Sequence, residues 1–517
     1  MKAPLENQPA KAGQSPLDTT QVLPRRHPAL GPALMVLLGA VVRFTGLADE
    51  SIWLDEATSI IIARLNLPSV VAWAAGDIHP PLYYLVLHFW LRFGESEFAV
   101  RALSAVVGVL TVAATYALAR ELFGSRVGMY AALLLALSPM HIPYSQEVRM
   151  YAMVAVLSLL ASYFLLLALR RQRWPYWLGY VVCATLSLYT HYFALFALLF
   201  QVSFLIGRVW KVRVQRRQLW FILLALCTIF VLFLPWLPIL YRQSTTGGGG
   251  WVEKSVGQPS WRELADTWVQ FSIGPDRQLY PVWLRRLAYG VFALCLLSGL
   301  RALAPATTRA ELVEGRNSQR ESLLFCVTYI LVPVMTVWLL SQFKPMYTVR
   351  YLLPFLPAYY ILVAQGIHQL PWSGVRILAL VLLALTALLG DYAAWRTPRN
   401  ADWRSASALV LRQAQAGDVV LFSPRWDEKP FEYYARQRIP VNIDLPIPVT
   451  ETAAQQVTAD LSQRYQRVWL FWERGHYSDS SGMAKLALDE RATLVETRDF
   501  QGIHSLFLYE LSTSGGR

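Results

Sequence analysis

The chain of 517 residues is 55% hydrophobic and only 16% charged, against the roughly 25% charge of an ordinary soluble domain. Its 47 Lys and Arg exceed 34 Asp and Glu, but from Arg396 onward 15 basic and 15 acidic residues cancel, so the whole +13 excess lies in the apolar first 395 residues. That placement excludes a nucleic-acid groove and reads as loop orientation in a membrane protein. The four cysteines (Cys183, Cys227, Cys295, Cys326) sit inside apolar runs, which excludes a disulfide framework for the C-terminal part and CxxC metal chemistry throughout.

Residues 1–29 begin with a polar stretch carrying Pro4, Pro9, Pro16 and Pro24 and are predicted to form a disordered cytoplasmic tail. The apolar run from Leu30 follows Arg25 and Arg26 like a signal sequence, but no clean small-x-small site follows, so it reads as an uncleaved first span. Apolar windows recur near 98–119, 127–144, 150–169, 219–241, 285–303, 322–342, 351–370 and 376–395, each close to the roughly 20 residues needed to cross a bilayer. The stretch 174–209 is long enough for two spans, turning at Thr190 and His191. The expectation is an α-helical polytopic protein of about eleven transmembrane helices plus interfacial helices, over residues 30–395.

The segment 80–93, PPLYYLVLHFWLRF, is helical in pattern but 14 residues long, or about 21 Å at 1.5 Å per residue. Reading it as interfacial places 18 Lys and Arg in 77 residues of inside loop and 9 in 106 residues of outside loop. Counting it as a span would instead put the basic RRQR and RVWKVRVQRR loops outside, against the positive-inside rule. The predicted topology has a cytoplasmic N-terminus, outside loops at 49–97 and 242–282, and an extracytoplasmic C-terminal domain over 396–517, in a plasma (inner) membrane. In that domain strand-like DVVLF, PVNI, RVWLFW and SLFLYEL alternate with helical FEYYARQR, 451–465 and MAKLALDE, the rhythm of a small α/β layer domain. No glycine-rich phosphate loop follows its first strand.

Ionisable residues collect on the predicted outer face: Asp55 and Glu56 in SIWLDEATSI, His79 before a double proline, Glu147 and Arg149 in YSQEVRMYAM, His191 and Tyr192 in YTHYF, and Lys344, Tyr347 and Arg350 in FKPMYTVRYLLP. Charge at a membrane boundary is costly and is often functional. Cations there can neutralise the phosphate of a lipid-linked sugar as a leaving group, while a carboxylate removes the proton of an acceptor hydroxyl. Asp55 is the candidate base, with Glu56 orienting the acceptor or exchanging roles with it. Arg149, Lys344 and Arg350 are candidates for the phosphate. His79, Glu147, His191, Tyr192 and Tyr347 complete the expected donor-headgroup site. Arg43 and Arg101 read as snorkelling side chains. Most of the 19 Trp and 25 Tyr read as interfacial anchors and core, apart from Trp53 and Tyr83, which are near enough to the acids to stack on a sugar. GGGG at 247–250 is read as a linker.

Five motifs in order, LDEA, HPPLYYL, FAVRALSAVVGVLTVAATYALARELFG, SQEVRMYA and VRYLLPFLPAYYILVA, resemble the polytopic GT-C glycosyltransferases, a group that includes the protein O-mannosyltransferases and the lipid A aminoarabinose transferases. The resemblance covers residues 30–395. It implies a polyprenyl- or dolichyl-phosphate sugar as donor, a glycan, lipid or protein as acceptor, and a catalytic or acceptor-positioning acid in the first outside loop, here Asp55 and, through the pair, Glu56. His79 stands where the aminoarabinose transferases have a lysine. No cofactor is expected, although Asp55, Glu56 and Glu147 are oxygen ligands that suit a divalent ion. The competing readings are transfer of a lipid-linked phosphoryl group, a lipid-linked sugar transporter, and a non-catalytic subunit of an envelope-glycan assembly.

Overall fold

The computed structural model describes residues 30–211, 215–246, 257–303, 314–472 and 478–512. The expected N-terminal tail and the GGGG linker lie outside the described residues. All eleven apolar windows are helical in whole or in large part. Among the described residues six helices are long and apolar enough to cross a membrane: Glu97–Phe123, Tyr151–Arg171, Arg216–Thr245, Val282–Leu300, Gln319–Leu340 and Ser373–Arg396. The apolar helices Leu30–Phe44, Ser125–Ala136 and Ala194–Trp210 are shorter, as is Trp174–Leu188.

Local sequence sets several of these boundaries. Ser96 caps Glu97–Phe123 by accepting from the Ala99 N–H at 3.2 Å, and Gly124 ends it at φ 93°, a left-handed backbone that glycine adopts without strain. Asn66 caps Leu67–Gly76 through the Ser69 N–H at 3.0 Å. After Pro80 and Pro81 comes only a nine-residue helix, Leu82–Trp90, with a single further 3-10 turn. It buries Tyr83, Tyr84 and Leu87 and is too short to span. Helices Val282–Leu300 and Leu356–Gln369 touch backbone to backbone: a Cβ at Gly366 would stand 1.7 Å from the Cys295 carbonyl oxygen, an approach that only glycine permits.

The C-terminal region holds a five-stranded sheet in the order β2-β1-β3-β5-β4: β1 is Asp418–Ser423, β2 Val441–Asn442, β3 Arg467–Trp472, β4 Ala492–Phe500 and β5 Ile503–Leu511. β1 runs parallel to β2 and β3, while β5 is antiparallel to β3 and β4. Both faces are covered. Val419, Leu421, Val468 and Leu470 pack on one side with Leu461 and Leu488, and Val420, Phe422, Trp469 and Phe471 on the other with Trp403 and Phe431. β4 and the helix Trp403–Gln413 are elements the sequence reading did not anticipate. β4 is an edge strand with a mostly exposed pattern and register shifts near Glu496 and Asp499, so it lacks a clean alternation to read.

This sheet layer is fastened to the loop predicted to be the first outside one, residues 49–97. The Ile52 N–H donates to the Tyr434 hydroxyl at 2.8 Å, and Tyr434 in turn bonds the Glu97 carboxylate. Arg404 donates to Glu97 and, at 2.7 Å, to the Ala48 carbonyl. Asn400 donates to the Ser51 carbonyl at 2.9 Å, and Tyr433 to that of Glu95 at 2.6 Å. The loop that carries Asp55 is therefore held from both sides.

Candidate active site

Asp55 and Glu56 open the helix Leu54–Arg64. Consecutive helical residues point about 100° apart, so the pair cannot share one environment. Glu56 turns inward and is fully buried. Arg101 donates to it through Nε at 2.8 Å and Nη2 at 2.7 Å, the Val148 N–H adds a bond at 3.0 Å, and the Trp53 N–H reaches it at 3.5 Å. Arg101 also donates to the carbonyls of Leu47, Glu50 and Ser51. The expectation that Glu56 exchanges roles with Asp55 does not fit this geometry, since both of its oxygens are already engaged. Nor does Arg101 snorkel: it is 3% exposed and closes the loop onto the Glu97–Phe123 helix.

Asp55 turns the other way, and its side chain keeps 32% of its surface open. Its Oδ2 lies 3.7 Å from Arg149 Nη2, and Arg149 Nη1 donates to the Asp55 carbonyl at 3.4 Å. Arg149 lies over the Tyr151 ring at 5.8 Å, and Arg350 approaches the same ring at 5.9 Å and that of Tyr351 at 5.3 Å. Two guanidinium groups thus share one aromatic ring. The Nε of each is buried without a hydrogen-bond partner, an arrangement that suits an anion.

The histidines join this group. The ring centroids of His79 and His191 are 5.6 Å apart, and His191 lies 6.1 Å from Tyr151 and 5.2 Å from Tyr351. His191 Nδ1 accepts from the Phe193 N–H at 3.1 Å, and burial, then His79 and the two arginines, holds its pKa well below the usual value. The neutral ring then presents Nε2 as a donor. Burial also lowers His79 against the opposing pull of Asp77, whose carboxylate lies 3.3 Å from His79 Nδ1. With Nδ1–H donating to that carboxylate, Nε2 of the neutral ring is an acceptor. Glu147 follows the short His141–Ser145 helix. Burial, with Glu56 adding and Arg350 and Arg149 opposing, pushes its carboxyl up to about 8.

Three expected donor residues are committed elsewhere. The Tyr192 hydroxyl donates to Gln243 and accepts from Trp236 Nε1 at 2.9 Å. Tyr347 is buried with its hydroxyl 2.6 Å from that of Thr267, and Lys344 donates to the Ser244 carbonyl at 2.6 Å. They fasten Gln243, Ser244 and Thr267. Tyr83 is no sugar platform, for its ring is 1% exposed and its hydroxyl meets Ser104 at 3.0 Å. Arg43 does not snorkel either: it is fully buried and donates to the carbonyls of Gly39, Leu135 and Ala136. The last two are carbonyls of the final turn of Ser125–Ala136, where the regular helical ladder runs out; that of Leu135 also accepts from the Ser138 N–H at 3.2 Å.

Asp77, Tyr151 and Tyr351 were not singled out in the sequence. Tyr151 and Tyr351 lie inside motifs that were, each beside or near an arginine, but only the packing shows that they form the surface between the arginines and His191. Among the described residues no group of three or more His, Cys, Asp or Glu is placed to hold a metal ion. With Glu56 bound to Arg101, Asp55 and Glu147 are the acids left of the three whose oxygens suit a divalent ion.

The model of the dolichyl-phosphate-mannose-protein mannosyltransferase family matches residues 78–239. The structure is similar to ArnT from Cupriavidus metallidurans, at 13% identity in the apo state with TM-score 0.59, covering 94% of this chain and 98% of that one. For ArnT bound to undecaprenyl phosphate the values are 14% and 0.58, covering 94% and 99%. The fold is that of the GT-C glycosyltransferases. The oligosaccharyltransferase of Archaeoglobus fulgidus carries it as well, at 13% identity and TM-score 0.56, covering 91% of this chain and 73% of that one. No curated protein matches the sequence. In this GT-C fold the matched segment 78–239 contains His79, Glu147, Arg149 and His191, whereas Asp55 and Arg350 lie outside it.

Proposed function

We propose that the chain is an inverting glycosyltransferase that moves a sugar from a polyprenyl-phosphate donor to an acceptor hydroxyl at the outer face of a plasma (inner) membrane. The observation that carries this reading is the pairing of Arg149 and Arg350 over Tyr151, each with an unengaged buried Nε, beside the half-open carboxylate of Asp55. In the reaction the acceptor oxygen bonds to the anomeric carbon as the bond from that carbon to the phosphate oxygen breaks. The proton passes to Asp55, and the two guanidinium groups meet the charge left on the phosphate. His191 Nε2–H and His79 Nε2 are a donor and an acceptor for the headgroup. Residues 30–395 make the transmembrane catalytic domain in this proposal, with residues 396–517 extracytoplasmic and the N-terminus cytoplasmic. Similarity to a structure that binds undecaprenyl phosphate supports the choice of donor class.

The test is turnover of a polyprenyl-phosphate sugar by reconstituted wild-type and Asp55→Asn protein, read as release of polyprenyl phosphate. The expected loss is about 10²- to 10⁴-fold, the usual worth of a general base, with donor binding retained. Equal turnover in the two proteins would remove Asp55 from the chemistry.

A further inference from the structure

A second cleft, of about 350 Å³, lies between the first outside loop and the sheet domain. Its volume is in the range of about 300–1,000 Å³ typical of small-molecule sites. Trp53 and Leu54, the residues just before Asp55, form one wall, and Asn400, Trp403, Trp426, Trp472 and Ser478 contribute to the others. Trp403 is buried and packs on Phe471 at 5.3 Å as a floor, whereas Trp53 and Trp426 are only half-buried and leave ring surface open. Arg399 and Asn400 also line the cavity that holds Glu56 and Glu147, so the cleft and that cavity meet along this stretch.

The polar groups in the cleft are sparse and oriented. Ser478 is 2% exposed, and its hydroxyl has no hydrogen-bond partner among the described residues. Asn400 uses its N–H on Glu50 and its side-chain NH₂ on Ser51, which leaves the side-chain carbonyl as an acceptor. The charged residues of the lining are Arg399, which is paired with Asp276 at 2.6 Å, and the buried carboxylate Asp427, so the cleft offers little to an anion. An acyl chain would leave the Ser478 hydroxyl buried and unmet, at a cost. A neutral sugar ring fits both demands: its C–H face lies on the negative face of an aromatic ring, and its hydroxyls give and accept hydrogen bonds at the edge.

We propose that this cleft binds a neutral sugar unit of the acceptor, so that the acceptor is a glycan or glycoconjugate and is delivered to Asp55 past Trp53. This rests on the transferase reading of Asp55. The probe is an immobilised array of neutral hexose and pentose oligosaccharides, applied to full-length protein in lipid nanodiscs, with donor turnover measured in parallel. Wild type should bind at least one oligosaccharide class. Trp426→Ala should weaken that binding more than tenfold and Trp426→Phe should restore most of it, while Asp55→Asn should bind as wild type. Absence of binding by wild type, or equal binding by Trp426→Ala, overturns the proposal, as does preferential capture of an acyl chain or an acidic peptide. If Asp55-dependent donor turnover persists without sugar binding, the cleft proposal falls alone. If sugar binding is present but turnover does not depend on Asp55, the transferase reading falls, and with it the acceptor assignment.

Discussion

Replacing Glu56 by Gln separates a structural acid from the one proposed as the base at the adjacent position. The substitution keeps shape and volume, but one carboxylate oxygen becomes an NH₂ that faces a donor. Glu56 Oε2 receives Arg101 Nη2 at 2.7 Å and the Trp53 N–H at 3.5 Å, and Oε1 receives Arg101 Nε at 2.8 Å and the Val148 N–H at 3.0 Å. Whichever way the amide is turned, at least one of these contacts becomes donor against donor. Arg101 then keeps its charge at 3% exposure with only neutral acceptors to meet it, the remaining side-chain oxygen at position 56 and the carbonyls of Leu47, Glu50 and Ser51. Breaking a buried pair typically costs about 3–5 kcal/mol, and the retained carbonyl contacts put the expected loss at about 3 kcal/mol.

The control is Asp55→Asn, one residue earlier. Its ion pair with Arg149 spans 3.7 Å with 32% of the Asp55 side chain open, a class of contact worth about 0–1 kcal/mol. Unfolding of purified protein in detergent, followed by tryptophan fluorescence, should therefore show Glu56→Gln clearly destabilised and Asp55→Asn close to wild type. Donor turnover at a temperature where both stay folded should show the larger loss in Asp55→Asn. A Glu56→Gln/Arg101→Met double variant removes the orphaned charge and should recover part of the stability, which a mutant cycle measures. A stable Glu56→Gln protein, or an unstable Asp55→Asn protein, would refute the division of labour between the two acids.

Burial pushes the Glu147 carboxyl up to about 8, so it is expected to hold its proton at neutral pH. Donor binding in lipid nanodiscs should weaken as pH rises through 8 and a negative charge appears beside the arginines, and Glu147→Gln should flatten that profile. The linkage has a definite sign: the raised folded value favours folding fully below the unfolded carboxyl value, and this contribution is lost between that value and about pH 8. Tyr151→Phe should leave donor affinity nearly unchanged, because the ring is what Arg149 and Arg350 share, whereas Tyr151→Leu should weaken it roughly 10-fold, at about 0.5–2 kcal/mol for such contacts; titration with polyprenyl phosphate checks both. Arg350→Ala should raise the donor KM by tenfold or more, since a charge-assisted contact is worth about 1.5–3 kcal/mol, and steady-state kinetics against donor concentration read it. Glu97→Ala removes the partner of both Tyr434 and Arg404, so limited proteolysis should cut more readily between the apolar region and the sheet domain.

The apolar windows were legible because span length is set by the bilayer and not by neighbours, and each of them yields a helix, though only six are long enough to count as spans by length and composition. β1 and β3 were legible as short apolar runs because both of their faces are covered. β4 was not, since an edge strand need not bury either face. At the site, the sequence brings together the charged residues but does not say where each side chain goes. Asp55 and Glu56 look alike in one dimension, and nothing in LDEA tells which of them finds Arg101, 45 positions later. Lys344, Tyr347 and Tyr192 illustrate the opposite error. Their types suit a phosphate site, yet each bonds a group elsewhere, Ser244, Thr267 and Gln243 in turn, and the chain neighbours that supply those groups are not visible in one dimension.

The clamp on the first outside loop links these observations. A general base needs a fixed position within hydrogen-bond reach of its substrate, and among the described residues the Asp55 carboxylate makes one loose ion pair. Its position must come from elsewhere. Glu56 fixes the start of the helix to Arg101, and Tyr434, Arg404 and Asn400 fix the preceding residues to the sheet domain. The carboxylate proposed to react is then positioned by backbone held on both flanks, and apart from the loose pair with Arg149 its oxygens are left to an acceptor. On this argument the sheet domain acts on the chemistry without touching it. Loosening Tyr434 or Arg404 should lower turnover while leaving donor affinity, which depends on Arg149 and Arg350, largely unchanged.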